Sequence, residues 1–200
     1  MKPRVILFRA VEGVPAEMSD EALVAACATG DAAALGALFD RHYDAVRGFL
    51  ARMSGTDDRD LDDLVQVTFE TVPRAAAHFD GRAQVRTWLL GIATNVARHH
   101  IRSEIRRKRF TRDVAAAAAD APPAVADGRA EVLARERAAR LGQAISALPT
   151  GLRAVFLLVY VEGLPGRDVA AALGVREGTI WKRLHRARGL LRESLAGVDP

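Results

Sequence analysis

VRTWLLGIATNVARHHIRSEIRRKR, running from Val85 to Arg109, is the stretch on which the reading of this chain turns. Trp88, Leu89, Ile92, Ala93, Val96, Ala97, His100, Ile101 and Ile105 recur at helical spacing and predict one buried stripe. The opposite face carries Thr94, Asn95, Arg98, His99, Arg102 and Arg106, and the segment closes on Arg106, Arg107, Lys108 and Arg109. A helix apolar on one side and basic on the other suits a surface that lies against phosphate. The plainer alternative is a solvated charged face. A second basic helix near the C-terminus favours phosphate.

Around this helix lie 200 residues, enough for one large domain or two small ones. Half of them are hydrophobic and aromatics are few, which favours packed helices over sheets. The net charge is only +4, but the arginines are gathered in patches, and clustering matters more than the sum for a polyanion. Cys27 is the only cysteine, so neither an intramolecular disulfide nor a CxxC metal site can form. The apolar run Val5 to Phe8 is too short for a signal peptide's core, and no stretch approaches membrane-spanning length. A cytoplasmic location without membrane insertion is expected.

Residues 1–18 show no period and read as a loose extension. Ser19 or Asp20 can cap a short helix ending at Gly30, and Asp31 can cap a longer one. In that second helix Leu35, Leu38, Phe39, His42, Tyr43, Val46, Phe49, Leu50 and Met53 form a broad apolar stripe. His42 has no second ligand at matching spacing and reads as a core-edge residue.

The segment TDDRDLDDL concentrates acid. Asp58, Asp60 and Asp62 mimic the first ligands of a calcium loop. Asp63, however, stands where the turn glycine belongs, and Phe69 stands where the bidentate glutamate belongs, so calcium is rejected. Leu61, Leu64, Val65, Thr68, Phe69 and Val72 instead make a helical stripe, leaving Asp62, Asp63, Gln66 and Glu70 outside. Acids near a helix start are favoured by the dipole alone. Val67, apolar on the exposed side, favours a docking face for a basic partner. Pro73 is expected to close or kink this helix. Phe79, Asp80 and Gly81 make a turn before the long basic helix, and Trp88 is expected to pack in the core rather than stack on a base.

From Thr111 to Gly128 the composition shifts to Ala, Asp and Pro, with Pro122-Pro123 in the middle, which predicts a flexible linker between two domains. A helix from about Arg129 to Ala147 follows, carrying Val132, Leu133, Leu141 and Ile145. Pro149 precedes another, with Leu152, Val155, Phe156, Val159 and Tyr160, ended by Gly163.

GRDVAAALGVREGTIWKRLHRARGLLRESL then has the pattern of a helix-turn-helix. Ala170 allows close helix crossing, Gly174 permits positive φ in the turn, and Val175, Ile180 and Leu184 pack the second helix onto the first. That second helix exposes Arg176, Thr179, Lys182, Arg183, Arg186 and Arg188. Donors at its N-terminal end can reach guanine edges, while the later arginines can hold phosphates.

Together the two halves resemble an extracytoplasmic-function sigma factor of the sigma-70 family, over about Ser19 to Leu195. The pieces that carry the resemblance are GDAAALGALFDRHY, DLDDLVQVTF, RTWLLGIATNVARHHIR and LPTGLRAVFLLVYVEGLPGRDVAAALGVREGTIWKRLHRARGLLRESL. It implies an all-α chain with sigma domain 2 over residues 19–110, a linker over 111–128, and a helix-turn-helix domain 4 over 129–200. It implies core RNA polymerase as partner, through the β′ clamp helices and the β flap, and promoter DNA as the second. An anti-sigma factor is a further partner the resemblance allows.

By the same resemblance, Asp62, Asp63, Gln66 and Glu70 dock on the clamp helices. Phe79, Asn95, Arg98, His99 and Arg102 serve −10 recognition and strand opening, and Arg176, Thr179, Lys182, Arg183 and Arg186 read the −35 element. Val67 departs from the family's usual glutamate. Pro165-Gly166-Arg167 replaces the usual serine and acids at the start of the motif, and Trp181 stands where a lysine is common.

No catalytic constellation, cofactor loop or zinc-ligand spacing is present in the sequence. The rival reading is a free-standing helix-turn-helix regulator. Such a protein needs a sensor or dimerisation module, for which the N-terminal half shows no pattern.

Overall fold

The computed structural model describes residues 18–112 and 129–196, with side chains described for 18–107 and 136–196. Every regular element among them is helical. The first is α1 (Asp20–Ala28), where the Ser19 hydroxyl accepts from the Ala22 amide at 3.2 Å. Next is α2 (Ala32–Ser54), where Asp31 accepts from the amides of Ala33 and Ala34 at 2.8 and 3.0 Å. Gly55 ends it at φ 64°, a left-handed cap that only glycine adopts cheaply. Then come α3 (Asp58–Ala76), capped by Asp57, and the long α4 (Val85–Arg112).

These four helices pack on one another through Leu23, Leu38, Phe49, Leu50, Met53, Phe69, Leu89 and Leu90, all fully buried. The Phe39 and Phe69 rings meet edge to face at 4.9 Å, tying α2 to α3. His42 lies at the rim of this core, its Nε2 2.7 Å from an Asp20 carboxylate oxygen. A single acid thus satisfies it and fastens α1 to α2.

The second group is α5 (Arg129–Ala147), α6 (Thr150–Phe156) continuing into a π-helical turn at Leu157–Val161, α7 (Gly166–Ala172) and α8 (Glu177–Leu195). Gly174, at φ 63°, makes the turn between α7 and α8, and Val169, Ala170, Ile180 and Leu184 are buried between them. Ala144, Leu148, Ala187 and Leu191 seat α5 on α8. The two groups are not separate in the fold. Helix α7 rests on α4, the α6 and π-turn segment rests on α2, and one continuous core runs through both.

Several expectations change. The helix does not close at Pro73 but runs on to Ala76, because a proline in the last turn supplies helical φ and removes only one amide donor. Thr111 and Arg112 belong to α4, not to the linker; the rest of the linker and residues 1–17 lie outside the described residues. Ile105 is not buried but 47% exposed, since α4 outruns the helices that cover its first four turns. Thr94, expected outside, is buried, one turn along from the point where α7 crosses α4. Leu141 is exposed because α5 touches α8 along a narrow line only. The side chains of Val132 and Leu133 lie outside those described.

Candidate nucleic-acid interface

Beyond the core stripe, α4 presents Asn95, His99, Arg102 and Arg106 to solvent, with Arg98 partly covered. Arg102 Nε donates to the Arg98 carbonyl at 3.1 Å, which holds its guanidinium along the helix surface. Just before α4, the Phe79 ring lies tilted on Trp88 with centroids 5.0 Å apart. Asp80 accepts from the Arg82 amide at 3.1 Å, and Gly81 takes φ 70° to complete the turn. Both aromatic rings are partly buried. Trp88 is therefore a packing residue that props Phe79 beside the exposed end of the loop.

The acidic residues of α3 stand on the neighbouring surface. Asp62, Asp63 and Glu70 are exposed, and Gln66 donates to Glu70 at 2.8 Å, one helical turn away. Asp62 is engaged from within the chain, at 3.5 Å from Arg47 of α2, which also holds Asp58 at 2.9 Å. The hydrogen bond to Asp58 raises the Arg47 pKa further above its ordinary value. Val67 is 45% exposed and shares one groove with Leu64, Asn95, Val96 and His99. The apolar Val67 of α3 and the amide and imidazole groups of α4, separate in the sequence, thus share a single α3–α4 groove.

On α8, Lys182 and Arg186 are exposed, Thr179 and Arg183 are partly covered, and Arg176 occupies the N-cap position with no side-chain capping bond. Helix α7 likewise begins without a side-chain cap, as Pro165-Gly166 predicts. Trp181 fills the space this leaves. A Cβ added at Gly166 would stand 3.0 Å from the indole ring, and the indole N–H donates to Glu177 at 3.2 Å. Trp181 remains 50% exposed, so it is neither core nor free.

Sequence reasoning missed a cluster between the two groups. Glu162, at the end of the π turn, has a side chain only 5% exposed and pairs with both Arg52 of α2 and Arg86 of α4. Arg153 of α6 donates to the Met53 carbonyl at 2.8 Å and to the Leu148 and Ser146 carbonyls, and burial lowers its pKa. No periodicity in the sequence marks these residues; their partners in the first group lie 76 to 110 positions away.

Comparisons with known proteins agree with this layout. Residues 38–107 match the family model for Sigma-70 region 2, and residues 138–191 match that for Sigma-70, region 4. The chain is 35% identical over 179 residues to the ECF RNA polymerase sigma factor SigC of Mycobacterium tuberculosis, covering 90% of this chain and 91% of that one. It is 32% identical over 182 residues to the RNA polymerase sigma factor CnrH of Cupriavidus metallidurans, covering 88% and 93%. A solved structure of CnrH with the cytosolic domain of CnrY matches with a TM-score of 0.61 at 30% identity, over 90% of this chain and 99% of that one. Two region models in the right order, the first over α2–α4 and the second over α5–α8, together with relatives aligned nearly end to end, place the chain among the extracytoplasmic-function sigma factors of the sigma-70 family.

Proposed function

We propose that this sigma factor, in directing core RNA polymerase to promoters, divides its work among three surfaces. The observation that carries this is the single groove in which the exposed Val67 of α3 stands beside Asn95 and His99 of α4. A docking surface placed there delivers the polymerase and the −10 element to adjacent sides of the same helix pair. Asp62, Asp63, Gln66 and Glu70 dock on the β′ clamp helices. The field of clustered carboxylates steers a basic partner, while Val67 replaces one polar contact with an apolar one. Phe79, Asn95, Arg98, His99 and Arg102 take the −10 element, with amide and imidazole groups for base edges and arginines for phosphates.

Helix α8 enters the major groove at the −35 element with Arg176, Thr179, Lys182, Arg183 and Arg186, and the α5–α8 group also meets the β flap. The domain division follows these roles: residues 19–110, then 129–200, joined by the linker. An anti-sigma factor is a further partner, supported by the match to a sigma factor solved with the cytosolic domain of CnrY. The protein acts in the cytoplasm, where its template lies, and is an initiation factor rather than an enzyme. Among the described residues no helix is long and apolar enough to cross a membrane.

Run-off transcription with core polymerase on a promoter library tests this reading. Transcripts that start only when the chain is added, from templates sharing two separated elements, are expected. DNA binding without any polymerase-dependent transcript would instead favour a free-standing regulator.

A further inference from the structure

One surface of the α1–α4 group is apolar at its centre and acidic at both ends. Val67, 45% exposed, stands on α3 one turn after Asp63 and one turn before Glu70, so the three share one helix face. Beside Val67, the groove shared with α4 adds the apolar side chains of Leu64 and Val96. Along about 10 Å of helix the order is therefore acid, apolar, acid. An apolar strip of this kind gains from being covered, and the flanking carboxylates select a cover that carries cations on both sides.

The chain itself holds the complementary order. Residues 2–9 read KPRVILFR, with the apolar side chains of Val5 to Phe8 between Lys2 and Arg4 on one side and Arg9 on the other. No acid occurs before Glu12. The segment lies outside the described residues, but the point where it joins them is fixed. Met18 packs on the core, and its carbonyl accepts from Arg41 Nη1 at 2.7 Å. The chain from Met18 back to Arg9 can span up to about 30 Å. Helix α1, which starts beside Met18, packs directly on α3, so the groove is within that reach. A tether this short holds a local concentration on the order of 1 mM, at which even a weak contact is mostly made.

We propose that the segment Val5 to Phe8 occupies the α3–α4 groove in the free chain, its side chains on Leu64, Val67 and Val96 and its flanking cations against Asp63 and Glu70. The inference rests on the docking assignment above. The same acids are offered to core polymerase, so the segment must leave before the clamp helices can settle. The groove is then uncovered only by a partner that brings its own cations and apolar side chains. A groove open for roughly a fifth of the time lowers the apparent affinity for polymerase about fivefold.

The test uses the full chain with a photoreactive benzoylphenylalanine in place of Phe8. Illumination of the chain alone is expected to crosslink position 8 to peptides carrying Val67 or Val96, in a fraction that does not change on dilution. An excess of core polymerase should suppress these crosslinks. A second measurement compares capture of core polymerase by the wild-type chain and by Ile6→Asp with Phe8→Asp, which replaces two apolar side chains with charges that the acidic face repels. Both positions lie before α1, so the melting of the helical groups should not change. Capture is expected to tighten about fivefold, and the gain should vanish where Val67→Ser has already removed the apolar contact.

Crosslinks that map elsewhere or do not form, or capture equal to that of the wild type, would overturn the proposal. Crosslinks between two copies that weaken on dilution would overturn it in favour of a second molecule as the occupant. Failure of the docking reading looks different. Core polymerase then neither suppresses the crosslinks nor loses capture with Asp62→Lys and Asp63→Lys, while the crosslinks in the chain alone still support the segment's place in the groove.

Discussion

Phe79 lies on Trp88 with ring centroids 5.0 Å apart and planes tilted by 51°, so the loop before α4 is braced from below by a residue of α4 itself. On the proposed −10 surface the two aromatics would divide a structural and a functional task. Trp88→Ala removes the brace and is expected to cost about 2–4 kcal/mol of stability, toward the lower end of large-to-small aromatic changes because the ring is only partly buried. Phe79→Ala is expected to cost less in a denaturant titration but to reduce permanganate-reactive open complex strongly. Equal stability loss in both variants, with normal strand opening by Phe79→Ala, would return Phe79 to the core.

The docking surface makes a charge prediction. Asp62 is partly engaged by Arg47, whereas Asp63 is exposed on the proposed docking face. Asp63→Lys alone should therefore weaken capture of core polymerase, and Asp62→Lys with Asp63→Lys should abolish it. The fold should stand in both, because a surface ion pair such as Arg47–Asp62 contributes only about 0.2–1 kcal/mol. A pull-down at moderate salt measures the first effect and thermal melting the second. Undiminished capture by the double variant would remove α3 from the docking surface.

Asp20 gives the acid sensitivity. Burial raises its pKa, but hydrogen bonds from Arg41 and His42, and their charges, outweigh that and leave it below the ordinary carboxylate value. A carboxylate with a depressed folded pKa contributes stability above its unfolded value, near 3.9, and loses it as pH falls through the folded value. Asp20→Asn should thus lower the melting temperature at pH 7 and flatten the loss of stability that the wild type shows below about pH 4. Parallel wild-type and variant curves throughout that range would show that the Asp20–His42 contact contributes nothing.

The helices themselves were legible because their signals are local. Ser19, Asp31 and Asp57 supply caps within three residues of the amides they bind, and the stripes of α2 and α3 repeat every turn. Ile105 and Thr94 were misread for one shared reason: periodicity says which face of α4 is apolar but not where along that face its partners stop or a second group begins. The acidic and basic surfaces were legible as compositions. The groove that joins α3 to α4 was not, because only the packing of the two helices brings Val67 beside Asn95. Glu162 was invisible altogether, since a single acid in VEGLPGR carries no pattern until Arg52 and Arg86 are folded around it.

Trp181 stands on α8 where the family resemblance leads to the expectation of a lysine, and the structure explains how the chain accommodates it. Pro165-Gly166 begins α7 without a side-chain cap, and the missing Cβ of Gly166 leaves room for the indole, which also donates to Glu177. Half of its surface is exposed, near the N-terminal end of α8, the helix proposed to enter the major groove. An apolar edge there suits a thymine methyl better than a phosphate. Trp181→Lys should cost about 1 kcal/mol, roughly half the burial value of an aromatic side chain, and leave the fold intact. It should also shift −35 preference away from thymine-bearing sites in a binding selection. Gly166→Ala provides the complementary test, since its Cβ would press on the ring at 3.0 Å and turn it outward without changing its chemistry. The two variants should alter preference at the same base position. If Trp181→Lys unfolds the α5–α8 group, or if the selected sites do not change in either variant, the indole is a packing group and carries no part of the recognition.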